Sequence, residues 1–153
     1  MKLINIVTQP QLIPDAVRWF AQKWNIPEEA YAESMQEALV STSGVPSWIV
    51  VLNEDNKIIA GLGIIENDFH QRKDLTPNIC AVYVEEAYRH QGFARTMLHY
   101  ATELLSQKGI KTCYLITEHT DFYEHCGWTF YDMIPENDGS LTHCYKKHLT
   151  NII

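Results

Sequence analysis

At 153 residues, with 46% hydrophobic and 20% charged residues, the chain has the length and composition of one ordinary globular domain, outside the disordered, fibrous and membrane classes. Its formal net charge of −7 works against sequence-independent binding of nucleic acid, which needs Lys and Arg to neutralise phosphates, and favours a cationic substrate. No apolar run reaches the roughly 18 residues of a bilayer span, so no membrane partner is expected.

Leu3 to Val7 is apolar and β-branched and reads as a first strand closed by Thr8-Gln9-Pro10. Only Lys2 precedes it and Asn5 interrupts it, so it lacks the apolar core of a secretory signal and a cytoplasmic protein is expected. From about Leu12, Ile13, Val17, Phe20 and Trp24 recur at spacings of three and four, the mark of one helix face. Pro27 and the acidic pair Glu28-Glu29 open a second helix, with Tyr31, Met35, Ala38 and Leu39 on one side, which stops before Ser41-Thr42-Ser43-Gly44.

The period then changes. Trp48 to Asn53 and Lys57 to Glu66 are β-rich runs joined by the polar tip Glu54-Asp55-Asn56, a hairpin pattern. A loop of mixed charge, Asn67 to Thr76, leads to a central strand, Asn78 to Val84. From Gln91, the stripe Ala94, Met97, Leu98, Ala101, Leu104 and Leu105 marks a long helix ending at Gly109. Thr112 to Thr117 reads as a strand, Asp121 to Cys126 as a short helix, Trp128 to Ile134 as a strand, and Leu141 to Lys147 as a last strand after the turn Glu136-Asn137-Asp138-Gly139. Hairpins combined with one strand–helix–strand crossover predict an α/β fold in a single domain over residues 1–153, a mixed sheet with helices on both faces.

The stretch richest in chemistry is the passage from the central strand into the long helix. A helix start there offers free backbone N–H groups and the positive end of the dipole, the condition for holding a phosphate. Gly92 lets an anion approach the backbone, Ala94 keeps the first turn small, and Arg89 and Arg95 add positive charge to an acidic protein. No Gly-Lys-Ser/Thr of a P-loop is present, and a dinucleotide fingerprint would need further glycines.

Arg89-His90-Gln91-Gly92-Phe93-Ala94 resembles the acetyl-CoA signature of the GNAT superfamily of N-acetyltransferases, Arg/Gln-x-x-Gly-x-Gly/Ala. Phe122-Tyr123-Glu124-His125-Cys126-Gly127-Trp128, about 30 residues on, resembles the family's Phe-Tyr-x-x-x-Gly-Phe/Trp motif. The order of elements matches the family over nearly the whole chain. The resemblance implies a central mixed sheet flanked by helices, acetyl-CoA as cosubstrate, and transfer of its acetyl group to a primary amine. It implies cofactor contacts from Val82, Tyr83 and Val84 at the end of the fourth strand and from the signature turn with Arg95. It makes Tyr123 the general acid that protonates the departing thiolate, where a bland reading has a half-buried core tyrosine. The Asn that many members carry near the end of the fifth strand has no counterpart in Thr117-Glu118-His119-Thr120-Asp121, and Asn78 stands where one subgroup carries an aromatic. A non-catalytic acyl-CoA-binding or regulatory module is the rival reading; the retained Tyr123 argues against it.

For a general base, Glu66, Asp68, Glu85, Glu118 and His119 lie near strand ends that border the implied cleft, though each singly reads as a solvated loop residue. Trp19, Trp24 and Trp48 read as core, the first two on helices that in the family flank the acceptor site. His119, His125, Cys126, His143, Cys144 and His148 lack the repeated spacing of metal ligands, so no metal is expected, and the four scattered cysteines suit free thiols. The acceptor, a small molecule or a peptide amine, is not legible in the sequence. An edge strand such as Leu141 to Lys147 is compatible with a homodimer.

Overall fold

The computed structural model describes residues 1–149. Seven strands form one sheet: β1 (Lys2–Asn5), β2 (Ser47–Leu52), β3 (Ile58–Ile65), β4 (Asn78–Val84), β5 (Thr112–Thr117), β6 (Thr129–Pro135) and β7 (Leu141–His148). Four helices accompany them: α1 (Ile13–Trp24), α2 (Glu28–Val40), α3 (Phe93–Gln107) and α4 (Thr120–His125). The strand order is β1-β2-β3-β4-β5-β7-β6, antiparallel throughout except for the parallel pair β4 and β5. The mixed α/β sheet with helices on both faces is thus the architecture that the sequence predicts.

Both faces of the sheet are buried, which is why β2 and β3 read as nearly unbroken apolar runs. Alternation along β2 sends Ile49 and Val51 to a core shared with Met97, Leu98, Ala101 and Leu105 of α3. Trp48, Val50 and Leu52 go to a second core under α1 and α2, with Val17, Phe20, Tyr31 and Met35. This second core is aromatic: the rings of Phe20, Tyr31 and Trp48 lie 5.0 to 5.6 Å apart, and Trp48 Nε1 donates to Ser34 Oγ at 2.8 Å. It fixes both helices on the sheet.

Two glycines of β3 make room for those rings. A β-carbon on Gly63 would stand 2.5 Å from Cζ3 of Trp48, and one on Gly61 would stand 2.6 Å from Cζ of Phe20. The strand carries Ala60, Leu62 and Ile64 toward α3, while its other side is bare backbone covered by aromatic faces.

Some boundaries differ from expectation. The first strand ends at Asn5 rather than Val7, because the Asn5 side chain accepts from Val7 N at 3.2 Å and turns Ile6–Thr8 into 3-10 geometry. The long helix begins at Phe93, not Gln91, after Gly92 in left-handed conformation at φ 87°. Trp24, on the apolar stripe of α1, is 41% exposed, since the helix stops beside it at left-handed Asn25. Leu39 also turns outward.

Gly63→Ala is expected to destabilise the fold by about 1–3 kcal/mol, because the added methyl must displace Trp48 from the sheet. Urea unfolding would measure it, and wild-type stability in the variant would show that the indole shifts without strain.

Candidate active site

The sheet opens between its two parallel strands. β4 and β5 are paired at Asn78 and Tyr114, and beyond that point they part. A bulge in β4 directs the parting: Gly61 and Gly63 of β3 face Tyr83 and Cys80, so Ala81 and Val82 share one position opposite Leu62. Ala81 takes a left-handed φ of 55° to accommodate the extra residue. Val82, Tyr83 and Val84 then run along an open margin with no partner strand on the β5 side.

The resulting cavity, about 880 Å³, is bordered by Cys80 to Val84 of β4, Leu115 to Thr117 of β5, and the segment following β4 as far as the first residues of α3. Of the residues singled out in the sequence, Val82, Tyr83, Val84, Arg89, His90, Gly92, Phe93, Ala94 and Tyr123 line it. Gln91 and Arg95 do not; both are exposed on the outer side of the turn.

The start of α3 is an uncapped helix N-terminus. Thr96 N donates to Gly92 O at 3.0 Å, which leaves the N–H groups of Phe93, Ala94 and Arg95 without intrahelical acceptors, and no side chain caps them. His90 and Gly92 both have positive φ, 64° and 87°, and curl the backbone into the helix start. A β-carbon at Gly92 would meet nothing within 4 Å, so the glycine is required by its dihedral angle rather than by crowding within the protein. Arg89 folds back onto β4: its Nε donates to Val84 O at 2.9 Å and its guanidinium stands 5.3 Å from the Tyr83 ring centroid. The remaining guanidinium N–H groups are available to an anion.

On the β5 side, α4 holds Tyr123 against Trp128 and Phe122 at ring distances of 6.4 and 5.1 Å. Tyr123 is 7% exposed, and among the described residues its hydroxyl has no hydrogen-bond partner. Burial, reinforced by the nearby Cys126 and Asp68, raises its pKa well above the usual 10. The phenol is therefore a neutral O–H donor across the physiological range.

The carboxylate candidates separate clearly. Glu85 accepts from Trp19 Nε1 at 2.9 Å and pairs with Lys23 Nζ at 2.5 Å, so it ties α1 to the end of β4. Glu66 points to a separate small pocket with Glu37. Glu118 and His119 line the cavity, with Glu118 accepting from Thr142 Oγ1 at 3.1 Å. Asp68 also lines it, carries no hydrogen bond or ion pair among the described residues, and is pushed up to about 6 by burial and then by the charge of Glu136.

A polar cluster that the sequence did not reveal holds Asp68 in place. Asn78, fully buried, donates from Nδ2 to Glu66 O at 2.8 Å and to Leu75 O at 2.9 Å, and its Oδ1 meets His70 Nε2 at 2.9 Å. With Asn78 Oδ1 as acceptor, His70 carries its proton on Nε2 and accepts at Nδ1 from Asn67 Nδ2, 3.3 Å away. An aromatic at position 78 would leave these groups unpaired. The same loop is stitched to the turn between β6 and β7 by Gln71 N to Pro135 O at 2.9 Å and Asn137 N to Phe69 O at 2.8 Å. Tyr31, from α2, and Phe69, from this loop, also face the cavity. Only the lone aromatic in a charged loop hinted at Phe69.

The four cysteines are free thiols. Among the described residues, no cluster of three or more His, Cys, Asp or Glu could hold a metal, and no helix is long and apolar enough to cross a membrane.

Comparison with known proteins places this geometry. The sequence model of the acetyltransferase (GNAT) family matches residues 12–128. The fold is shared with an aminoglycoside 6'-N-acetyltransferase solved with coenzyme A, at 17% identity over 100% of this chain and 99% of that one, TM-score 0.72. It is shared with aminoglycoside 6'-acetyltransferase type Ii at 18% identity over 100% of both chains, TM-score 0.72. A GNAT-family acetyltransferase from Staphylococcus aureus Mu50 aligns at 15% identity over 97% of this chain and 99% of that one, also with TM-score 0.72. A comparison with curated proteins finds no match.

A carboxylate whose pKa is raised by folding opposes folding once it ionises. The penalty is absent below the unfolded value near 4 and complete above about 6. Asp68→Asn is expected to raise Tm at pH 8 and leave it unchanged at pH 4. Equal shifts at both pH values would assign the effect to packing rather than to charge.

Proposed function

The chain belongs to the acetyltransferase (GNAT) family, and on that premise we propose that it transfers the acetyl group of acetyl-CoA directly to a primary amine. The observation that carries this reading is the juxtaposition, along one cavity, of an uncapped helix N-terminus, an unpaired strand margin and a buried phenol. These three features match the three parts of the cosubstrate: an anionic pyrophosphate, an amide-bearing arm and a sulfur.

In this reading the N–H groups of Phe93, Ala94 and Arg95 hold the pyrophosphate at the positive end of the α3 dipole, with Arg89 adding charge. His90, Gln91 and Gly92 shape the turn. The margin Val82 to Val84 pairs with the amides of the pantetheine arm as an added strand would. Acetyl-CoA supplies the activated thioester. A backbone N–H of the β4 margin donates to the carbonyl oxygen as negative charge develops there.

Asp68 takes the proton from the attacking nitrogen. Its basicity lies nearer neutrality than that of an ordinary carboxylate, which favours that task at physiological pH. The N–C bond forms, the C–S bond breaks, and Tyr123 donates its O–H to the leaving sulfur, regaining a proton from solvent. A phenol raised above 10 is a weak acid toward a thiolate in water. Burial also raises the thiol of Cys80, which lines the same cavity, and a sulfur leaving into that cavity would gain basicity by the same loss of solvent.

CoA at 100 times its Kd is expected to stabilise the protein by about 2.7 kcal/mol, a thermal shift of several degrees. Gly92→Glu lowers the unliganded Tm, because φ 87° strains any side chain, and removes the CoA-induced shift by placing a carboxylate at the anion site. A wild-type protein that CoA leaves unshifted would sink the assignment. Tyr123→Phe is expected to lower kcat by about 10²–10⁴-fold with little change in CoA affinity, the signature of a group acting on the transition state. An unchanged kcat, where chemistry limits the rate, would return Tyr123 to a packing role.

A further inference from the structure

The cavity wall carries two side chains with polar groups that the protein leaves unpartnered. Tyr31 is 4% exposed, and its buried hydroxyl has no hydrogen-bond partner among the described residues. Leaving such a group unsatisfied is destabilising, so a buried hydroxyl of this kind calls for a partner from outside the protein. Asp68 is the second: a half-buried carboxylate with no hydrogen bond or ion pair among the described residues, on the wall of the same cavity as Tyr31. Two independent groups, one on α2 and one on the loop after β3, therefore await the same ligand.

Their surroundings are apolar. Trp24, Ile26, Ala30, Trp48, Ile65 and Phe69 line the same cavity. Glu118, the other acid on the cavity wall, lies at the end of β5 and is already engaged by Thr142. Phe69 is notable in its backbone: φ is 59°, a conformation disfavoured for a bulky residue, while Asn137 N holds its carbonyl at 2.8 Å and its ring is 55% exposed. Strain maintained at a cavity mouth on an exposed aromatic ring accords with a contact made to ligand.

We propose that this cavity takes a primary monoamine carried on an apolar or aromatic body, its nitrogen held by Asp68 and the Tyr31 hydroxyl and its body against the aromatic wall that includes Trp24 and Phe69. The inference rests on the acetyl-transfer reading above. An ammonium presents three donors and no acceptor, which one carboxylate and one phenol oxygen accommodate, and aromatic faces attract it further. A polyhydroxylated polycation would bring many polar groups against a wall of Trp24, Ile26, Ile65 and Phe69, where they lose water without gaining partners. The acceptor class therefore differs from the aminoglycosides named for two proteins that share the fold.

Thiol release from acetyl-CoA, measured separately with 2-phenylethylamine, spermidine and kanamycin, tests the inference. The expected kcat/KM for 2-phenylethylamine is about tenfold or more above the other two, since polar groups buried without partners are rejected strongly. Phe69→Ser, at an exposed position, should raise KM for 2-phenylethylamine about fivefold or more while KM for acetyl-CoA stays constant. Tyr31→Phe should act in the same direction. Kanamycin or spermidine as the best acceptor overturns the inference, as does an unchanged amine KM in Phe69→Ser. If no acceptor reacts while CoA still raises Tm, the inference falls and the cofactor reading stands; if CoA raises nothing, both fall.

Discussion

Past the pairing of Asn78 with Tyr114, β4 and β5 stop sharing hydrogen bonds, and the site is arranged around that separation. Interior strands of a sheet ordinarily satisfy both margins. Here the bulge at Ala81 and Val82 turns β4 while β3 still holds its other side through Tyr83 and Val84, so the strand stays rigid where its second margin is open. The opening is tolerable because helices cover it on both faces: α1 and α2 with their aromatic core, α3 and α4 with an aliphatic one. A stiff, half-paired strand in a largely apolar cleft is a template for an extended ligand carrying amides.

The cleft wall carries groups of both signs. The protein as a whole is acidic, yet the start of α3 combines unpaired N–H groups with the Arg89 guanidinium, a local positive field set by backbone geometry as much as by side-chain charge. Asp68 lines the same cavity, held on a loop that the buried pair His70 and Asn78 keeps folded. Positive and negative groups thus share one cavity wall with Tyr123.

That arrangement opposes stability in specific places. Tyr31 keeps a buried hydroxyl without a partner, and Asp68 ionises in a poorly solvated position. Each is a local loss that the aromatic and aliphatic cores offset. Other buried polar groups of the scaffold are satisfied, Trp48 by Ser34, Trp19 by Glu85 and Asn78 by three partners.

The sequence by itself determined the order of elements, the two-sided burial of the sheet and the turn from β4 into α3, because these depend on local periodicity and on residues adjacent in the chain. Alternation in Trp48 to Leu52 and the three-to-four spacing from Met97 to Leu105 suffice for strand and helix. Residues 89 to 94 form their turn from their own dihedral preferences. Which carboxylate faces the cleft was decided by the tertiary structure. Glu66, Asp68, Glu85 and Glu118 look alike in sequence, and they part company only when Lys23 and Trp19 engage Glu85, Thr142 engages Glu118, and the loop around His70 turns Asp68 inward. Arg89 likewise folds onto Tyr83 and Val84, and Gln91 and Arg95 face away from the cleft, since side-chain direction follows from helix start and strand twist together. Tyr31 was legible as a core residue of α2, but that its buried hydroxyl finds no partner was decided by the elements packed around it. Periodicity tells which face of an element is buried; which groups converge there, and which of them find no partner, depends on contacts between elements distant in the chain.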